Sequence, residues 1–344
     1  MSRFREEIGQ QPEVARRLLE QSGDSLEAIA GRLREKRPAG YLIAARGSSD
    51  HAALFAKYLF GRRNRALVAL AAPSLFTHYS SPPDLAGQCV IGISQSGASP
   101  DVIAVLEEAR RQGCPTLAVT NDAGSKLAAT ADLVLALGAG AESSVPASKT
   151  YTASLLALAL VSQALDPEPS FAAALDRVPE AIEAALARDA ELDRLVPALK
   201  APRAVVLGRG FNLSTAEEVA LKLTETSYVL ARAWSVADFE HGPIAVVERG
   251  FPVLLIGAPG PVDADLAGIG TRLLEYSCRV LGLFDGGRAP IQPDSAVTID
   301  SGLPEELTPL PLAVLGQLLS HRLALALGID PDRPRALQKV TRTW

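Results

Sequence analysis

The sequence is short of reactive and metal-binding side chains: 344 residues hold three cysteines, four histidines, two tryptophans and one methionine. Cys89, Cys114 and Cys278 lie in or beside apolar runs with no paired spacing, which argues against a disulfide framework or a zinc site and predicts buried thiols. No histidine is grouped with carboxylates at ligand spacing, so neither a metal nor another cofactor is expected. Basic charge is not in excess: 34 Lys and Arg against 39 Asp and Glu leave a net charge of −5 with no long basic run. Nucleic acid is therefore not expected as the main partner. Long apolar runs are missing too, since Leu155–Val161 is stopped by Ser162 and Gln163, while a membrane span needs about 20 residues. The opening Met1-Ser-Arg-Phe-Arg-Glu-Glu has no apolar signal core, and a cytoplasmic protein is expected.

What is present is ample core material, with 48% hydrophobic residues. After helical stretches near 9–21 and 24–36, β-branched apolar runs alternate with helical periodicity, the pattern of a parallel sheet covered on both faces. Strands are expected at Tyr41–Ala45, Ala66–Leu70, Cys89–Ile93, Thr116–Thr120 and Leu133–Ala136, with a long helix over Ser148–Leu165. Then the plan repeats. Arg46-Gly47 recurs as Arg209-Gly210 and Cys89–Ile93 as Pro252–Ile256, both 163 positions on (209 − 46 and 252 − 89). Thr116–Thr120 recurs as Val280–Phe284 and Ala131–Val134 as Ser295–Thr298, both 164 on (280 − 116 and 295 − 131). The fold class is α/β: two similar, doubly wound, Rossmann-like parallel-sheet subdomains with extra helices. The expected segments are N-terminal helices over 1–40, a first subdomain over 41–165, a helical linker over 166–200, a second subdomain over 201–327 and a C-terminal arm over 328–344.

Ser94-Gln95-Ser96-Gly97-Ala98-Ser99 joins a buried strand to a helix, so three hydroxyls and an amide surround unpaired N–H groups at a helix start. Such a turn suits a phosphate or carboxylate. An ordinary N-cap needs only one hydroxyl. Gly47-Ser48-Ser49 likewise follows a strand and opens a helix, and could add donors. The second copy has Gly257-Ala-Pro-Gly-Pro261 instead, which leaves the anion to the first.

In Asn212–Tyr228, Glu218, Lys222 and Glu225 share one helical face at i, i+4 and i+7. Alone, that face reads as a solvated ion-pair stripe. The next segment, Asp238-Phe-Glu-His-Gly-Pro243, sets His241 before a stiff Gly-Pro turn, able to present an imidazole to a cleft. His51, His78 and His321 have no such company. The tail from Gly328 to Trp344 carries two prolines that forbid simple helix. Leu337, Val340 and Trp344 favour its docking, which would carry Lys339 over the body of the protein.

These motifs, from Phe4–Glu13 through Arg46–Ser49, Ser94–Gly97, Thr120-Asn121, Glu142–Lys149, Gly208–Gly210, Ala220–Tyr228 and Glu240–Pro243 to Asp332–Lys339, resemble the sugar isomerase (SIS) domain family nearly end to end. The resemblance is strongest to the isomerase half of the glucosamine-6-phosphate synthases. It implies a phosphosugar isomerase in which Ser48, Ser94, Gln95, Ser96 and Ser99 hold the phosphate, with Ser49 and the backbone near Val145 beside the sugar. Glu225 would move a proton between C1 and C2, His241 would open the ring, Lys222 would orient or polarise, and Lys339 would form an imine at C2. It also implies a homodimer whose histidine completes the neighbouring site. The chemistry agrees, since one carboxylate over two adjacent carbons can carry a proton between them, and an imidazole can give and take one near neutral pH.

Three positions depart from the family pattern: Arg46 stands for Cys, Ala147 for Ser and Glu240 for Lys. No counterpart of the synthases' glutaminase half, with its N-terminal Cys, is expected, since residue 2 is Ser. The expectation is an amino-sugar-phosphate deaminase and isomerase taking glucosamine 6-phosphate and water to fructose 6-phosphate and ammonia. The alternatives are a fructosamine-6-phosphate deglycase, another aldose–ketose phosphosugar isomerase, or a sugar-phosphate sensor without turnover.

Overall fold

A computed structural model describes residues 2–339. Strands separated by helices must pair in parallel, because a tight hairpin cannot join them. Two all-parallel sheets of five strands result. The first holds β1 (Gly40–Ala44), β2 (Leu67–Leu70), β3 (Gln88–Ser94), β4 (Thr116–Thr120) and β5 (Leu133–Ala136), in the order β2-β1-β3-β4-β5. The second holds β6 (Arg203–Gly208), β7 (Leu230–Ser235), β8 (Pro252–Gly257), β9 (Arg279–Phe284) and β10 (Ser295–Thr298), in the matching order β7-β6-β8-β9-β10. Each sheet has its own core. Val90, Val102, Leu106, Ala118 and Leu127 centre the first, and Leu207, Phe239, Val253, Leu273 and Val280 the second.

The repeat goes further than the four elements legible in sequence. β1 pairs Gly40 with Leu67 and β6 pairs Arg203 with Leu230, so the edge strands β2 and β7 also stand 163 positions apart (230 − 67). β7 escapes sequence reading because Leu-Ala-Arg-Ala-Trp-Ser has weak β propensity and lies at an edge, with Leu230 and Arg232 turned to solvent. The last strand corrects the expected spacing. β4 sets Leu117 against Leu133 while β9 sets Leu281 against Ser295, so β10 corresponds to β5 at 162 (295 − 133) rather than 164. A two-residue slip keeps every side chain on its face, which is why it is tolerated.

The chain divides into two compact units. The first-sheet unit takes Glu13–Glu142, Lys149–Asp176 and, of the arm, Gln338 and Lys339. The second-sheet unit takes the N-terminus through Pro12, then Ser143–Ser148 and Arg177–Leu337. Within the latter, the Glu7 carboxylate on the Arg3–Gly9 helix accepts the Ser143 N–H at 2.5 Å and the Ser144 N–H at 3.2 Å, which fixes the turn that carries Val145. All three cysteines are buried and unbridged, and burial pushes the Cys89 thiol up to about 12, far from a reactive thiolate. No described helix is long and apolar enough to cross a membrane.

Candidate functional site

The Ser94–Ser99 turn closes β3 in the first-sheet unit and feeds the Pro100–Arg111 helix. Ser99 occupies the N-cap position, yet its side chain makes no capping bond and meets the Ser94 hydroxyl at 3.1 Å instead. A cap therefore does not account for these hydroxyls. Gly97 has φ +59, and a Cβ there would stand 2.0 Å from Ser125 Oγ, so the turn needs glycine to lie against the next loop. Its carbonyl accepts the Leu127 N–H at 3.0 Å, which fastens the two loops. Ser96 accepts the Ala98 N–H at 3.3 Å, while Gln95 is half-buried in the same turn.

Ser48 and Ser49 open the Ser48–Arg63 helix after β1, behind Gly47 at φ +55. Because β1 and β3 are neighbours in the sheet, both helix starts lie at the carboxyl ends of adjacent strands, where open α/β sheets bind ligands. Burial pushes the Asp50 carboxyl up, against the pull of His51 and Arg46.

Replacing Ser94 and Ser99 together by Ala is expected to raise the KM of a phosphosugar about tenfold or more per hydroxyl, with kcat at saturation much less affected. Steady-state kinetics on the double variant measure this; an unchanged KM would remove the turn from substrate binding.

Arg46 clarifies one departure from the family pattern. Its Nε lies 2.6 Å from Asp101 Oδ2 in the first turn of the Pro100–Arg111 helix. In the second-sheet unit Arg209 Nε meets Asp265 Oδ2 at 3.0 Å in the first turn of the Asp263–Glu275 helix. A pair repeated in the unit without hydroxyls serves the scaffold, pinning a strand end to a helix start. The second copy of the turn is also filled from within. A Cβ on Gly260, the counterpart of Gly97, would stand 2.4 Å from Glu305 Oε2, and one on Gly210, the counterpart of Gly47, 3.5 Å from Glu305 Oε1. A carboxylate occupies this place, and like charge would repel a phosphate from it.

The acid–lysine face lies on the Asn212–Ser227 helix of the second-sheet unit, packed against the Pro309–Ala326 helix. Contact is close at Gly316, where a Cβ would stand 2.1 Å from Val219 Cγ2. Lys222 Nζ lies 2.5 Å from Glu225 Oε2 and 3.5 Å from Glu218 Oε1. The solvated stripe suggested by the spacing alone is overturned, because the side chains of Lys222 and Glu218 are 1% and 0% exposed. Only Glu225, at 21%, reaches solvent. The helix ends at Tyr228 in the left-handed region, φ 57.

His241 caps the short Val236–Glu240 helix and is exposed, followed by Gly242 at φ +139 and a 3-10 turn over Pro243–Val246. The neighbouring departure, Glu240, is half-exposed and meets Arg272 Nη1 at 3.3 Å. Val145 is half-buried in the turn held by Glu7.

The C-terminal arm is held by polar contacts, and its expected apolar anchor fails: Leu337 is 41% exposed. Two prolines prevent regular structure, so side chains find fixed partners instead. In the second-sheet unit, Asp332 accepts the Arg3 and Phe4 N–H groups at 2.7 and 2.9 Å, at the start of the Arg3–Gly9 helix. The Tyr228 hydroxyl accepts the Arg335 N–H at 2.9 Å, with the Arg335 guanidinium 4.4 Å from the ring centroid. In the first-sheet unit Lys339 Nζ meets Glu142 Oε2 at 2.7 Å. Val340 and Trp344, the other expected anchors, lie outside the described residues.

Sequence reasoning missed Glu142, although it heads a motif already singled out. An acid between a Gly-Ala-Gly-Ala run and an apolar helix was the available signal. Among the described residues no group of three or more His, Cys, Asp or Glu gathers as a metal site.

The doubled parallel sheet with a hydroxyl-lined turn in one copy is the architecture of a SIS-domain protein. The SIS domain profile matches residues 39–163 and 199–320, and the chain belongs to that family. It is 33% identical over 346 residues to a glutamine–fructose-6-phosphate aminotransferase (isomerizing) of Thermococcus kodakarensis, covering 97% of this chain and 56% of that protein. The chain thus spans about half the length of the curated relatives it matches. Among solved structures, a Silicibacter pomeroyi protein assigned as a phosphosugar isomerase superposes with a TM-score of 0.89 at 32% identity, covering 96% of this chain and 100% of that one. A glucosamine-6-phosphate deaminase of Thermotoga maritima shares the fold at a TM-score of 0.76 and 23% identity, covering 99% of this chain and 100% of that one.

Proposed function

We propose that this chain is a phosphosugar isomerase of the SIS class whose substrate is an amino sugar 6-phosphate, and that it converts glucosamine 6-phosphate and water to fructose 6-phosphate and ammonia. The observation that carries this is the buried Glu218–Lys222–Glu225 row. Taking an ammonium and a carboxylate out of water is costly, and binding a phosphosugar needs only the hydroxyl turn. Glu225 alone of the three is open to a substrate.

In this reading Ser48, Ser94, Gln95, Ser96 and Ser99 hold the phosphate, and Ser49 and the Val145 backbone lie beside the sugar. His241 opens the ring by moving a proton between O1 and O5. Glu225 then takes the proton from C2 and returns it to C1 while the substrate ammonium gives a proton to O1, which leaves an iminium at C2 and a hydroxyl at C1, and Lys222 orients the Glu225 carboxylate. Lys339 displaces ammonia from C2 as an enzyme-bound imine, and water releases the ketose. No other co-substrate is needed. The amino sugar is supported by the similarity to a glutamine–fructose-6-phosphate aminotransferase (isomerizing), and the exposure of His241 fits a role in a neighbouring copy of a homodimer.

The test is a coupled assay for ammonia and fructose 6-phosphate from millimolar glucosamine 6-phosphate. Stoichiometric appearance of both is expected. Failure with this substrate but amine release from a fructosamine 6-phosphate would move the assignment to a deglycase, and failure with both would overturn it.

A further inference from the structure

Glu142 has no role in the steps above, yet its surroundings are unusual for an acid. Its side chain is 0% exposed. One carboxylate oxygen accepts the Thr150 N–H at 3.1 Å, and the other accepts the Thr150 hydroxyl at 2.7 Å and faces Lys339 Nζ at 2.7 Å. Thr150 lies in the first turn of the Lys149–Leu165 helix, most of whose residues are buried. The carboxylate is therefore fixed to a rigid element, and the lysine reaches it from a strand-free, helix-free tail. A buried charge is normally retained only where a partner compensates it. One partner here is the nitrogen to which the proposed function assigns the covalent step.

We propose that Glu142 is the positioning residue of Lys339: it anchors the lysine nitrogen, takes its proton, and remains as counter-ion of the imine. The inference rests on Lys339 forming that imine. As the Nζ lone pair bonds to C2 of the substrate iminium, a proton passes from Nζ to Glu142 Oε2. A second proton passes from Nζ to the original amine, the C2–N bond breaks to release ammonia, and ammonia takes the first proton from Glu142 and leaves as ammonium. The carboxylate is then ionised again beside the cationic imine, which it stabilises by charge. Water adds to C2, the C2–Nζ bond breaks, and fructose 6-phosphate leaves with Lys339 restored as an ammonium. Atoms and charge balance with no further reactant.

The test is borohydride trapping with fructose 6-phosphate, the adduct read by peptide mass spectrometry, on the full chain and on Glu142→Gln. The intact protein is expected to trap a hexitol phosphate on Lys339. Glu142→Gln is expected to trap it about a hundredfold more slowly, with kcat down by a similar factor and KM within about twofold. Glu142→Asp keeps the charge on a shorter stem and should recover part of the trapping rate. Trapping on the intact protein with undiminished rates in both variants overturns the role of Glu142. An absent adduct on the intact protein overturns the imine itself, and with it this inference.

Discussion

Glu225→Gln is expected to lower kcat on glucosamine 6-phosphate by about three orders of magnitude while leaving KM within a few-fold. Amide and carboxylate have the same shape, so the helix and its contact with Lys222 persist. What disappears is the only group of the buried row that reaches solvent and can accept a proton. A positioned base is worth about a hundredfold to ten-thousandfold, and an interaction used only in the transition state acts on kcat rather than on binding. Rate measurements at saturating substrate check this. An unchanged kcat would take proton transfer away from this residue.

Lys222→Met carries the largest expected effect on stability, about 3–5 kcal/mol lost, the usual cost of removing one partner of a buried ion pair. Methionine fills the space of the lysine stem but takes away the cation that Glu218 and Glu225 face at 3.5 and 2.5 Å. With Glu218 fully buried, its carboxylate then loses a compensating cation. Denaturant unfolding monitored by circular dichroism measures the loss. The double variant Lys222→Met with Glu218→Gln should regain a large part of it, because that carboxylate is then gone.

Most strands, edge strands among them, were legible in the sequence because short apolar runs mark them. Thr116–Thr120 and Leu133–Ala136 sit where periodicity puts them, and the 163-residue repeat of the core strands follows from β-branched runs bounded by Gly turns. One edge strand was not legible. Leu230–Ser235 is made a strand by pairing with β6, a tertiary effect that its Ala, Arg and Ser content does not announce.

The same division holds for the candidate site. Ser94, Ser99, Lys222 and Glu225 declared themselves through spacing on one turn and one helical face. The burial that changes Lys222 from a surface ion pair to a functional candidate depends on packing against Pro309–Ala326, far away in sequence. Glu142 and Glu305 were hidden for the related reason that single acids gain meaning only from what folds onto them: a lysine 197 positions later for Glu142, two glycine turns for Glu305. The arm misled in the other direction. Leu337 promised apolar docking, while Asp332 and Arg335 provide the contacts.

The central claim, that a carboxylate carries a proton from C2 to C1 of a phosphosugar, is tested most directly by turnover of glucosamine 6-phosphate in D2O with NMR of the fructose 6-phosphate formed. A proton held on a partly exposed carboxylate exchanges with solvent, so deuterium at C1 of the product is predicted. Product carrying only protium at C1, as a direct hydride shift would leave it, would contradict the account.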